Sequence, residues 1–115
     1  MSDPLANALT DVSHVPGVRG ALVVEAEAGV PVVSEVQAGR STEAIAALSA
    51  ALFRRAERAS AAGGYGALET LHLESEDGHV LVAGAGELLL VVLAEPDAQL
   101  GLVRVEAQRA AESLR

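Results

Sequence analysis

Between Gly39 and the pair Gly63-Gly64 runs a stretch of about twenty residues made almost entirely of strong helix formers. Ser41 and Glu43 supply an N-cap and a first-turn acid, and the two glycines stop the run. A helix of that length is about 30 Å long, enough to cross a whole small domain. On a helical wheel Ile45, Leu48, Leu52, Ala56 and Ala59 form one stripe, which is expected to dock on a sheet. The other side of the first three turns carries Ala44, Ala46, Ala47, Ala50 and Ala51 in place of charged residues. Such a helix is normally buried on both sides, and small side chains let two backbones approach closely. In a chain of 115 residues no other element is long enough to cover the second side. A second copy in two-fold symmetry is therefore the expected cover. The plain alternative is that alanine serves helix propensity alone.

The segments around this helix read in order. Asp3-Pro4 is an N-cap followed by a first-turn proline, with Leu5, Leu9 and Val12 at helical spacing behind it, and Pro16-Gly17 ends that first helix. Ala21–Val24 and Val30–Val33 flank a turn at Glu27-Ala28-Gly29 and predict a hairpin. Pro31 lacks a backbone donor, so the second strand belongs at a sheet edge or starts there. After the long helix, Leu68 to Ser75 alternates, with Leu71 and Leu73 on one side and Thr70, His72 and Glu74 on the other. Asp77-Gly78 is a hairpin signal, Val80–Ala83 the return strand, and Gly84–Glu87 the turn into Leu88–Leu93. That last strand is apolar on both faces, as a central strand covered on both sides should be. Glu95-Pro96-Asp97 breaks the chain before a final helix marked by Leu100, Val103, Ala107, Ala110 and Leu114. The expected architecture is a single α+β domain over residues 1–115, helix-strand-strand-helix-strand-strand-strand-helix. Its antiparallel sheet has the spatial order 2-1-5-4-3.

The third strand is then an edge with no proline and no lysine, a type that natural monomers usually protect. Pairing with its symmetry mate would satisfy its backbone and set two long helices side by side. The expected interface is Ala44, Ala47, Ala50 and Ala51 on the helix with Leu68, Thr70, Leu71, His72, Leu73 and Glu74 on the strand. Arg54, Arg55 and Arg58 place three of the eight basic residues within five positions, the one basic patch of an acidic chain. They are candidates to hold carboxylates of another protein through forked hydrogen bonds. Solvated charges near a helix C-terminus, favoured by the macrodipole, are the bland alternative.

Composition excludes several functions. A net charge of -8 opposes docking on phosphate backbones or anionic lipid, and one Tyr and one Phe cannot build a base-stacking platform. No cysteine means no disulfide, thiolate nucleophile or sulfur ligand for a metal. Met1-Ser2-Asp3-Pro4 has neither the basic flank nor the apolar segment of a secretory signal, and Leu88–Ala94 is far too short to span a bilayer, so a cytoplasmic location is expected. His14, His72 and His79 include no pair at the helical spacing of a zinc site; His72 and His79 flank a hairpin and read as a surface cross-strand pair. Gly84-x-Gly86 lies between strands and opens no helix, so it is a turn and not a phosphate loop. No catalytic constellation, cofactor site or metal site is expected.

Three pieces resemble the Roadblock-type dynein light chain family: Val15-Pro16-Gly17-Val18-Arg19-Gly20-Ala21-Leu22-Val23-Val24, Ala46-Ala47-Leu48-Ser49-Ala50-Ala51-Leu52 and Leu100-Gly101-Leu102-Val103-Arg104. The resemblance implies a five-stranded sheet with the long helix on one face and two helices on the other. It also implies dimers joined through the third strand and second helix. Bacterial members include partners of Ras-like GTPases, which implies a non-enzymatic scaffold or regulator with Arg54, Arg55 and Arg58 as partner contacts. A sensor domain holding a small molecule between sheet and helix is the alternative.

Overall fold

The computed structural model describes residues 3–37 and 39–115. Its elements are α1 (Pro4–Ser13), β1 (Val18–Glu25), β2 (Pro31–Glu35), α2 (Thr42–Ala62), β3 (Thr70–Ser75), β4 (Gly78–Ala85), β5 (Leu88–Ala94) and α3 (Leu100–Ser113). The expected caps are in place. The Asp3 side chain accepts from the Leu5 amide, and Ser41 accepts from the Ala44 amide.

All strand pairs are antiparallel, in the order β2-β1-β5-β4-β3. The order follows from burial. β5 is the most apolar strand and takes the centre, with Val91 opposite Leu22 of β1 on one side and Val82 of β4 on the other. Because side chains alternate along a strand, the sheet feeds two separate cores. α1 and α3 cover the face that carries Ala21, Val23, Leu81, Leu90 and Val92. α2 covers the face that carries Leu22, Val24, Val82, Leu89 and Val91.

Three expectations are corrected by the structure. First, β3 starts at Thr70, and Leu68 lies ahead of it, half-buried. Second, the β3–β4 turn is Glu76-Asp77, one residue earlier than the Asp77-Gly78 signal implied. Gly78 instead opens β4, where a Cβ would stand 2.6 Å from the Ala94 carbonyl oxygen of β5. The glycine is there for close strand approach. Third, α2 is rotated about its axis relative to the expected docking stripe.

Ala46, Ser49, Ala50 and Phe53 face the sheet, while Leu48 is 64% and Leu52 41% exposed. The physical reason is packing distance: methyl groups let the helix lie low, and Phe53 is the one large side chain among its buried residues. The same closeness appears at the β1–β2 turn, where Gly29 (φ +68°) would set a Cβ 3.2 Å from the Ala47 Cα.

Candidate interaction surface

One turn of an α-helix takes 3.6 residues, so each residue turns the side chain by about 100°. With Ala46, Ala50 and Phe53 on the sheet, Ala47 and Arg54 fall on the flank above the β1–β2 turn. Ile45, Leu48, Leu52, Ala56 and Ala59 fall on the opposite flank, above β4 and β3. The stripe read from sequence exists, but it overlooks the sheet edge instead of docking on the sheet. Ile45 marks the direction: it packs on the α2-side core and, with Arg19, Arg40, Asp77, His79 and Val80, lines an open cleft of about 380 Å³ by the β3–β4 turn.

The edge strand carries apolar side chains on the same side of the sheet as α2. Leu71 stands opposite Val82 and Leu73 opposite Val80, and residues directly opposite share a face, so both leucines lie on the α2 side. Both are half-buried. The Glu69 carbonyl accepts from the Gly84 amide at 2.9 Å, which fixes the hydrogen-bonding phase of β3. Glu69, Leu71, Leu73 and Ser75 turn their backbone groups to β4; Thr70, His72 and Glu74 turn theirs outward, to the free side of the sheet.

The remaining sequence-derived positions divide. Ala44 and Ala47 are exposed and Ala51 is half-buried on the outer half of α2, but Ala50 is fully buried against the sheet and cannot touch a second copy. Arg55 and Arg58 are exposed. Arg54 is half-buried and donates to the Ala26 and Glu27 carbonyls at 3.0 and 3.2 Å, so it clamps the β1–β2 turn and does not project outward. Its length explains the difference, because a guanidinium reaches carbonyls that a wheel cannot reveal.

The two histidines expected to meet across the hairpin do so. His72 Nε2 lies 3.0 Å from His79 Nδ1, with ring centroids 5.2 Å apart. They are not a surface pair, since His79 is only 5% exposed. The second nitrogen of His79, Nε2, is 3.1 Å from the Pro96 carbonyl oxygen. A carbonyl can only accept, so His79 Nε2 carries a proton; in the neutral ring its Nδ1 is then the acceptor and His72 Nε2 donates. Among the described residues no three potential metal ligands come together within one chain.

Sequence reading missed one ion pair. Arg19 bonds the Glu95 carboxylate and donates through its other nitrogen to the Asp77 carbonyl at 3.1 Å, tying β1 to the ends of β3 and β5. The hydrogen bond from Arg19, reinforced by its charge and opposed by desolvation, holds the Glu95 carboxyl below its usual range; the same bond raises Arg19. No local signal could have revealed partners 76 positions apart.

The sequence matches the Roadblock/LC7 domain over residues 5–94. The chain belongs to the Roadblock/LC7 domain family. It is 36% identical over 107 residues to an uncharacterised protein of Methanocaldococcus jannaschii, covering 93% of each. Its fold is that of the gliding protein MglB of Thermus thermophilus, at a TM-score of 0.84 and 22% identity over 99% of this chain and 90% of that one. An MglB structure described as having a tetrameric arrangement gives a TM-score of 0.83 at 24% identity, over 99% and 89%. In this Roadblock domain no helix among the described residues is long and apolar enough to cross a membrane.

Proposed function

We propose that this Roadblock domain is a non-catalytic, homodimeric regulatory module that binds a Ras-like small GTPase. The observation that carries the dimer is a pair of open apolar surfaces, Leu48 and Leu52 exposed on α2 and half-buried Leu71 and Leu73 on the α2 side of β3, an edge strand with three outward backbone positions. Leucines this exposed on a small acidic protein are a liability unless another surface covers them. A second copy offers the same flank and the same strand edge, so both surfaces close together under two-fold symmetry. The tetrameric arrangement described for one MglB structure supports self-association in this fold. Membership of the Roadblock/LC7 family, whose bacterial members include partners of Ras-like GTPases, supports the GTPase as partner class.

Arg55 and Arg58 are the contacts proposed for that partner. They are exposed on α2 beyond the alanines, and they give an otherwise acidic molecule one place to receive carboxylates. Arg54 positions the helix through the β1–β2 turn and is left out of that set. A sensor would have to use the open cleft between Ile45 and Val80, because Ala46, Ala50 and Phe53 fill the space between the middle of α2 and the sheet.

The test is calorimetric titration of the dimer with the Ras-like GTPase of its own organism, loaded with GDP or a non-hydrolysable GTP analogue. Nucleotide-dependent binding that weakens at least about tenfold on joint R55E and R58E substitution is expected. Binding of neither form refutes the GTPase reading, and binding indifferent to both arginines refutes the contact assignment.

A further inference from the structure

We propose that two copies of this chain, paired β3 to β3, hold a divalent transition-metal ion of the zinc class on their two-fold axis. The ligands are His72 and Glu74 of each copy. This rests on the homodimer reading and adds to it a register and a ligand.

The register follows from the free edge. Thr70, His72 and Glu74 are the positions whose backbone groups point outward. With the axis at His72, that residue faces the partner's His72, Thr70 faces the partner's Glu74, and Glu74 the partner's Thr70. Every outward group of β3 is then used. The same alignment lays Leu71 on the partner's Leu73, and the reverse, on the α2 side. Moving the axis to Leu71 sets Leu73 against the partner's Glu69; moving it to Leu73 sets Leu71 against the partner's Ser75. Only the His72 axis matches both leucines with leucines.

The ligand follows from what His79 does to His72. Nε2 of His72 is engaged on the β4 side, donating to a buried imidazole that is itself anchored on the Pro96 carbonyl. The two nitrogens of an imidazole flank Cε1 and point away from each other, so with Nε2 turned to β4, Nδ1 of the neutral ring turns its lone pair toward the free edge. Metal-ligating histidines share this pattern, in which one nitrogen is fixed by a hydrogen bond and the other is left to coordinate. A hydrogen-bonded antiparallel pair holds its Cα atoms about 5.5 Å apart, within the span over which two imidazoles can share one ion at about 2.0–2.1 Å each. Glu74 shares the face of His72 and is exposed, so each copy adds a carboxylate. Two imidazoles and two carboxylates complete a four-ligand set acceptable to zinc. A single copy supplies only half of it, so the ion needs both.

The experiment uses untagged, chelator-treated full chain with exposed His14 replaced (H14Q) to remove a stray ligand, titrated with zinc chloride. Calorimetry should give one zinc per two chains, and sedimentation equilibrium should show the dimer dissociation constant falling at least about tenfold with zinc. H72Q should abolish both effects while retaining the helical circular dichroism of the parent. H79Q should keep the one-to-two stoichiometry with affinity about 10–100-fold weaker, since it removes only the anchor. In a chain with no native cysteine, H72C should cross-link to its own mate under mild oxidation while T70C does not. One zinc per chain, no zinc uptake at about 100 μM, or failure of H72C to cross-link overturns the site. Dimers indifferent to zinc refute the site and leave the homodimer standing; monomers with and without zinc refute both.

Discussion

Leu48→Glu separates what α2 does inside one chain from what it does between chains. Leu48 is 64% exposed, so the fold makes little use of it. Glutamate is a good helix former, and the monomer should lose no more than about 0.5 kcal/mol. Full burial of a leucine is worth about 1.5–3 kcal/mol, so a second copy still has about 1–2 kcal/mol to gain at this position. The position occurs twice in a two-fold dimer, which gives about 2–4 kcal/mol, or about 30- to 1,000-fold in dissociation constant. The introduced carboxylates add a desolvation cost in the same direction. Sedimentation equilibrium should find mainly the 11.7 kDa species at concentrations where the parent is twice that mass, with an unchanged thermal midpoint for helix loss. An unchanged dissociation constant refutes the α2 flank as the interface. A large drop in thermal midpoint shows instead that Leu48 is needed within the chain.

Phe53→Ala should cost about 3–5 kcal/mol in urea unfolding, because it removes the one large side chain of α2 that is fully buried against the sheet. Gly78→Ala should destabilise by about 1–3 kcal/mol, read the same way, since its Cβ meets the Ala94 carbonyl oxygen at 2.6 Å and backbone must move. Glu95→Gln should flatten the acid side of the stability profile. The Glu95 carboxyl is lowered in the folded state, so its contribution is fully present above its unfolded value and is lost as pH falls through the folded one. The difference between parent and variant should therefore be visible at neutral pH and shrink below about pH 4 in circular-dichroism melts.

Element order and strand order were legible because they depend on signals a few residues long. The Asp3 and Ser41 caps, the Pro16-Gly17 and Gly63-Gly64 stops, and the doubly apolar Leu88–Leu93 run each act where they stand. The rotation of α2 was not legible, because a wheel ranks side chains by hydrophobicity whereas the sheet selected for thinness. Ala46 and Ala50 went inside and two leucines stayed out. The destination of Arg54 was equally hidden, since its acceptors are carbonyls contributed by a turn that folds back 27 and 28 residues away. The histidine contact was legible as an approach across a hairpin. Its burial was not, because the covering Pro96 carbonyl comes from beyond β5.

The two rims of the sheet are unlike. β2 is five residues long, begins on a proline with no amide to offer, and slips register against β1 between Val23 and Val24. β3 runs against β4 without such a slip. A template needs both borders to propagate, and this one has a usable border on a single side. Association that consumes β3 thereby terminates itself, leaving a finite particle where a more even sheet would risk growing into a fibre.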